Sequence, residues 1–316
     1  MLDNLIFSLN ATLPIFFLML LGMWLKKINI FNDNFVSVTN KFVFKVTLPI
    51  LLFQDLSDVD FVSVWDTKFV LFCFIATLIS ILLVTLISYF WKDRTIQGEF
   101  VQASYRSSAA ILGIAFIQNI YGTSGMAPLM IAASVPLYNV IAVICLSVLK
   151  PEREKIDRTL ILNTLKGILT NPIILGILCG IVYSLLKLPK PVIMDKSLQN
   201  IAVLATPLGL MSMGAAFHFS DARSTLKPAV VATVIKLVAL CSIFLPIAIH
   251  MGFRDEKIIA ILVMLGSSTT VSCYIMAKNM GHKGVLTSNV VMLTTLFSAF
   301  TLTGWLYLLK TLELIA

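Results

Sequence analysis

The sequence predicts an all-α integral membrane fold of ten transmembrane helices, arranged as two inverted five-helix repeats. Three observations carry this expectation. Hydrophobic residues make up 58% of the 316 and charged residues 13%, with a mean hydropathy of +0.94, a composition that leaves too little polar surface for a water-soluble domain. Apolar runs of about 20 residues, each long enough to cross roughly 30 Å of hydrocarbon, recur along the whole chain. Prolines and glycines also repeat in step, with Pro14 and Pro172, Gly22 and Gly180, and Pro49 and Pro207 each 158 residues apart.

Taken in order, spans are expected near residues 5–25, 35–54, 69–91, 100–121 and 126–149, then 168–187, 197–217, 228–250, 257–280 and 285–309. Residues 1–150 hold the first repeat, 151–167 a charged cytoplasmic connector, and 168–316 the second repeat. The first run follows Met1-Leu2-Asp3-Asn4, which carries an acid and no base, and ends at Lys26-Lys27 without a small-residue cleavage site. It therefore reads as an uncleaved helix with its N-terminus outside. With that orientation thirteen Lys and Arg fall in inner loops and seven in outer ones, so the positive-inside bias places both termini outside a bacterial plasma membrane. The net charge of +8 does not indicate nucleic acid, because the basic residues are scattered among short loops and form no stripe.

The five cysteines lie singly in apolar runs without CxxC spacing and read as packing residues. His218, His250 and His282 fall at span ends or in loops, so neither a metal nor another cofactor is expected.

Five spans per half is an odd number, so the second half enters the membrane from the opposite side. Inverted repeats of this kind are the architecture of secondary transporters, whose substrate sits near mid-membrane at the repeat interface, often at broken helices. Both the fourth and ninth spans carry a polar cluster at mid-span. The first is Ser107-Ser108 with Gly113 beyond it, and the second is Gly266-Ser267-Ser268-Thr269-Thr270. Ser107 plus 159 lands on Gly266, so equivalent positions of the two repeats have become small and polar together. These eight residues are the candidate substrate contacts, through hydroxyls and freed backbone groups.

Ionisable residues inside a membrane are functional candidates by default. Four cations fall within spans: Lys41, Lys45, Arg106 and Lys236. Lys41, Arg106 and Lys236 start near the inner boundary, within snorkelling reach of the headgroups. Lys45 lies at mid-span, one turn from Lys41, where an ammonium needs water or an anion. It joins the substrate candidates and points to a small organic anion. The acids Asp55 and Glu99 fall at span ends, so no carboxylate proton carrier is visible. Asn40, Gln54, Asn119, Asn139 and Asn289 suit interhelical hydrogen bonding. Asn40, Pro49, Arg106, Asn139, Pro207 and Lys236 are assigned supporting roles around the site. Rival readings are an exporter of neutral amphipathic solutes or amino-acid derivatives, and a ligand sensor that moves nothing. No HExxH, paired intramembrane Asp or Ser–His pair suggests an enzyme.

Asn40-Lys41-Phe42-Val43-Phe44 through Leu48-Pro49-Ile50-Leu51-Leu52-Phe53 resembles the second span of the auxin efflux carrier family, which includes bacterial malate and malonate permease-like proteins. Ala205-Thr206-Pro207-Leu208-Gly209-Leu210 with Met213-Gly214-Ala215-Ala216 is similar to its seventh span. Arg106-Ser107-Ser108 with Ile111-Leu112-Gly113, and Tyr274-Ile275-Met276-Ala277 before Gly281, look like its fourth and ninth. The resemblance covers nearly the whole chain. It implies a scaffold of spans 1, 2, 6 and 7, often dimeric, and a moving part in which broken helices 4 and 9 cross at an organic-anion site. Three positions depart from the pattern. Ala115 and Ser268 stand where the family has helix-breaking prolines, and Ser108 stands for its asparagine.

Overall fold

The computed structural model describes residues 2–59, 65–109, 117, 120–121, 125–149, 158–217 and 219–315, with residues 2–12, 158–161, 163–164 and 219–221 described by their backbone alone. Every regular element among the described residues is helical. In chain order these are α1 (Leu2–Lys27), α2 (Asp33–Phe42), a π-helical turn (Val43–Thr47), α3 (Leu48–Ser57), α4 (Thr67–Ser88), α5 (Gln97–Tyr105) and α6 (Ala127–Val148). The second half continues with α7 (Arg158–Leu169), α8 (Pro172–Leu185), α9 (Val192–Ala202), α10 (Ala205–Ala215), α11 (Phe219–Ser224) and α12 (Leu226–Val234). A second π-helical turn (Ile235–Ala239) follows, then α13 (Leu240–His250), α14 (Asp255–Gly266), α15 (Ser272–Asn279) and α16 (Val285–Thr311).

Six stretches among the described residues are long and apolar enough to cross a membrane: Asp33–Ser57, Thr67–Ser88, Ala127–Val148, Val192–Ala215, Leu226–His250 and Val285–Thr311. The chain is a multi-pass helical membrane protein. Two expected boundaries move. The sixth apolar run was expected from residue 168, but its helix α8 starts at Pro172. The Asn171 side chain accepts from Ile173 N at 2.9 Å and proline occupies the first helical position, a strong N-terminal signal. The preceding residues form the separate helix α7, so the end of the expected connector is itself helical. The second run, expected to end at 54, continues to Ser57 and takes Asp55 into the helix.

Proline explains two interruptions at matching places. Pro49 offers no N–H to the Lys45 carbonyl and Pro207 none to that of Val203. The π-helical turn Val43–Thr47 spans the first position, and the turn at Val203–Leu204 separates α9 from α10 at the second. Lys45 and Val203 are themselves 158 apart.

The packing repeats as well. α1 lies against α10, and α3 against α8. A Cβ on Gly22 of α1 would stand 2.1 Å from the Met211 carbonyl oxygen of α10, and one on Gly180 of α8 would stand 2.8 Å from that of Phe53 in α3. Both members of the second contact are related to those of the first by the same 158 residues: Gly22 to Gly180, and Phe53 to Met211. Backbones meet this closely only where one partner has no side chain. The α3–α8 contact is tightest at Gly176, whose added Cβ would fall 2.4 Å from the Pro49 carbonyl oxygen. Gly176→Ala is therefore expected to wedge α3 from α8 at a cost of about 1–3 kcal/mol. Thermal unfolding in detergent should read this as a lowered midpoint.

At the end of the molecule expected to face outward, the Asp66 carboxylate accepts from Lys257 at 2.6 Å and from Phe69 N at 3.0 Å. The Lys257 ammonium and the helix N-terminus of α4 hold its pKa below the usual carboxylate range and tie α4 to α14.

Candidate functional site

Both polar mid-span clusters break their helices. α5 stops at Tyr105, and Arg106 turns to extended backbone (φ −72°, ψ 134°). α14 stops at Gly266, and Ser267 does the same (φ −77°, ψ 164°). Neither break has a proline. Hydrogen bonds between the two segments replace the helical ones that are lost. Ser108 N donates to the Ser268 carbonyl at 2.9 Å, Thr269 Oγ1 to the Ala103 carbonyl at 2.8 Å, and Gln102 Nε2 to the Cys273 carbonyl at 2.9 Å. The breaks thus lie against each other. Their matching residues, Arg106 and Ser267, are 161 apart, so the register has slipped two residues from the 159 expected.

One side chain ties the two broken ends together. Lys236, fully buried in the second π-helical turn, donates from Nζ to the carbonyl of Leu265 at 2.7 Å and to those of Tyr105 and Met264 at 3.3 Å each. It also donates to Ser107 Oγ, which donates in turn to the Met264 carbonyl. Tyr105 ends α5, and Met264 and Leu265 lie in the last turn of α14, so these are the carbonyls that helix ends leave unsatisfied. Lysine at a helix C-terminus also meets the negative end of its dipole. Here a single lysine serves two. The expectation that Lys236 and Arg106 reach the headgroups is overturned: they are 0% and 2% exposed, because both are drawn into this junction.

Beside the junction lies a cavity of about 60 Å³, room for about four waters. Its walls are the α3 face Leu48, Leu51, Leu52 and Asp55, the first break at Arg106–Ala109, Tyr138 and Asn139 of α6, Thr206 of α10, and Thr270–Ser272 at the start of α15. Arg106 dominates its chemistry. One terminal nitrogen donates to Asn139 Oδ1 at 2.8 Å and Ser272 Oγ at 2.9 Å, and the other contacts Met276 Sδ at 2.9 Å. Its Nε is buried without a partner. All these partners are neutral, and no acid pairs with Arg106 among the described residues.

Residues 7–306 match the membrane transport protein family over most of the chain. The chain belongs to that family. It is therefore a membrane transporter of the auxin efflux carrier-like type. No curated protein matches the chain.

In this transporter the structure gathers some of the expected site residues and leaves others aside. Arg106, Ser107, Ser108, Asn139 and Thr270 line the cavity. Ser267, Ser268 and Thr269 are buried in the second break but do not line it, and Gly266 sits against Cys241 of α13. Gly113, Ala115 and Asn119 lie outside the described residues. Lys45 is exposed in the first π-helical turn and is not brought to the cavity. Asn40 braces the neighbourhood: it accepts from Ser212 Oγ at 2.8 Å through Oδ1 and from Asn279 Nδ2 at 3.2 Å through its carbonyl. Asn289 joins α16 to the chain before α12 by donating to Thr225 Oγ1 at 2.9 Å.

Four polar cavity residues were not among those expected from sequence: Asp55, Tyr138, Thr206 and Ser272. The signal for Asp55 was present, since it completes the spacing of Leu48, Leu51 and Leu52 on one helical face. The other expected span-end acid, Glu99, is buried and accepts from Gly284 N at 2.8 Å and from Thr287 N and Oγ1 at 3.0 Å, capping α16. His282, expected in a loop, is buried with Nε2 2.9 Å from the Leu146 carbonyl oxygen. The short helix α15 runs from the cavity at Ser272 to Lys278, a rise of about 9 Å. There a wider hollow of about 580 Å³ is lined by Lys41, Lys278 and Lys283 with Asp33 and Asn279.

Proposed function

We propose that this chain is a secondary transporter for small carboxylates, working by alternating access in the plasma membrane. The observation that carries the substrate class is Arg106, a buried guanidinium beside the helix breaks with only neutral partners. Arginine keeps its charge under physiological conditions and presents a planar fork that matches a carboxylate. A buried cation without an opposite charge is costly, and a substrate anion relieves that cost each time it binds. The family membership supports transport, and the wider lysine-lined hollow at the far end of α15 suits an approaching anion.

The proposed architecture is ten spans in two inverted repeats with both termini outside. The mirrored contacts of Gly22 with Met211 and Gly180 with Phe53 support it, as do the two facing helix breaks. Spans 1, 2, 6 and 7 act as scaffold while the broken helices and their neighbours move. The test is uptake into liposomes carrying the purified protein. Labelled short-chain carboxylates should enter saturably, and each acid should exceed its uncharged amide by about tenfold or more, the effect of one charge-assisted hydrogen bond. Equal uptake of acids and amides would instead favour a carrier of neutral amphipathic solutes. Binding without flux would favour a sensor.

A further inference from the structure

The cavity holds a second ionisable side chain that the carboxylate reading does not use. Asp55 lies on the α3 face that lines the cavity together with the first helix break, and its Oδ2 is buried with no hydrogen-bond partner. Its neighbours do not neutralise it. Lys190, which packs at this end of α3, is held by Asp58 at 2.5 Å, Asp195 at 3.3 Å and Gln54 Oε1 at 2.8 Å. Within the cavity the other charge is Arg106, and no ion pair joins the two. Nε of Arg106 and Oδ2 of Asp55 are both left without partners.

A buried guanidinium and a buried carboxyl that line one small space without pairing favour a ligand carrying both charges. Building on the carboxylate reading, we infer that the substrate is a small ammonium carboxylate of the α-amino acid type. Its carboxylate rests on Arg106 and its ammonium on Asp55. Both buried charges then gain opposite partners in one step, and the carrier–substrate complex adds no net charge to a site inside the membrane. The hydroxyls of Ser108, Thr206 and Thr270 on the same walls remain for further hydrogen bonds. A second carboxylate on the substrate would face Asp55 and be repelled, so dicarboxylates should bind poorly.

A matched set of solutes tests the inference on the full-length protein in liposomes: alanine with both charges, lactate with the carboxylate alone, alaninamide with the ammonium alone, and malonate with two carboxylates. Alanine should be taken up at least about tenfold better than each of the others, by the worth of one further charged contact. Asp55→Asn should lower alanine uptake to the level of lactate. The melting temperature of the variant, and competition between unlabelled solutes in the unaltered protein, guard against misreading a folding defect. Malonate or lactate entering better than alanine would overturn the inference and leave the carboxylate reading standing. So would lactate uptake that brings in a proton and is lost in Asp55→Asn, since Asp55 would then carry a proton and not meet an ammonium. If none of the carboxylates binds or enters, the carboxylate reading itself fails.

Discussion

Lys236→Met is expected to abolish transport and to lower the melting temperature by about 5 °C or more. Methionine fills a similar volume and removes only the donors. The carbonyls of Tyr105 and Leu265 would lose the amino group that now donates to them, while the Met264 carbonyl would keep Ser107 and Tyr138 as donors. Each buried acceptor left unsatisfied costs about 1–3 kcal/mol. Since these groups belong to the ends of both broken helices, the loss would separate α5 from α14 at the point where the cavity is built. Uptake assays together with thermal unfolding would check this. Near-wild-type values in both would mean the junction is held elsewhere.

Arg106→Gln should raise the half-saturating carboxylate concentration by about 10–100-fold, the worth of a charged hydrogen bond. Glutamine retains a donor for Asn139 or Ser272 but loses the charge and the fork, so the effect should exceed that on folding. Arg106→Lys restores charge without planar geometry and should fall between the two. Concentration dependence of uptake separates these cases, and the melting temperatures of both variants control for packing.

The helical, membrane-spanning character of the chain was legible because its signals are long and redundant. Runs of about 20 apolar residues need no tertiary context to be read as membrane helices, and Pro49 and Pro207 mark interruptions that backbone chemistry alone demands. The breaks in the fourth and ninth apolar runs were legible from their clustered hydroxyls, even without proline. The sequence did not show what replaces proline. At Arg106–Ser108 and Ser267–Val271 each broken end is held by hydrogen bonds to the other and by Lys236, which comes from a distant helix. Such partners have no sequence spacing to be read.

Charge was the least legible property of the site. Lys45 drew attention by its mid-span position, yet position along a helix does not say which face a side chain takes, and it is exposed. Lys236 and Arg106 were placed near the headgroups by counting residues from a boundary. That count ignores the pull of unsatisfied carbonyls and side-chain oxygens at the breaks. Asp55 reads from sequence as a terminal residue because the apolar run ends near 54, three residues short of the helix end at Ser57. A small boundary error thus removed from view the acid that lines the cavity.

The central claim is that the meeting point of the two broken helices is the substrate site and opens alternately to the two sides. Ser108 lines the cavity half-buried, and its backbone joins the two breaks, so a thiol there reports on access directly. In a Cys179→Ser background, which removes the exposed native thiol, the Ser108→Cys variant would be treated with a membrane-impermeant maleimide from each side of sealed vesicles in turn. The parent without the Ser108 change serves as control. Labelling is expected from both sides, with both reactions slowed by a transported carboxylate. Labelling confined to one side, or unaffected by any carboxylate the protein transports, would contradict that claim.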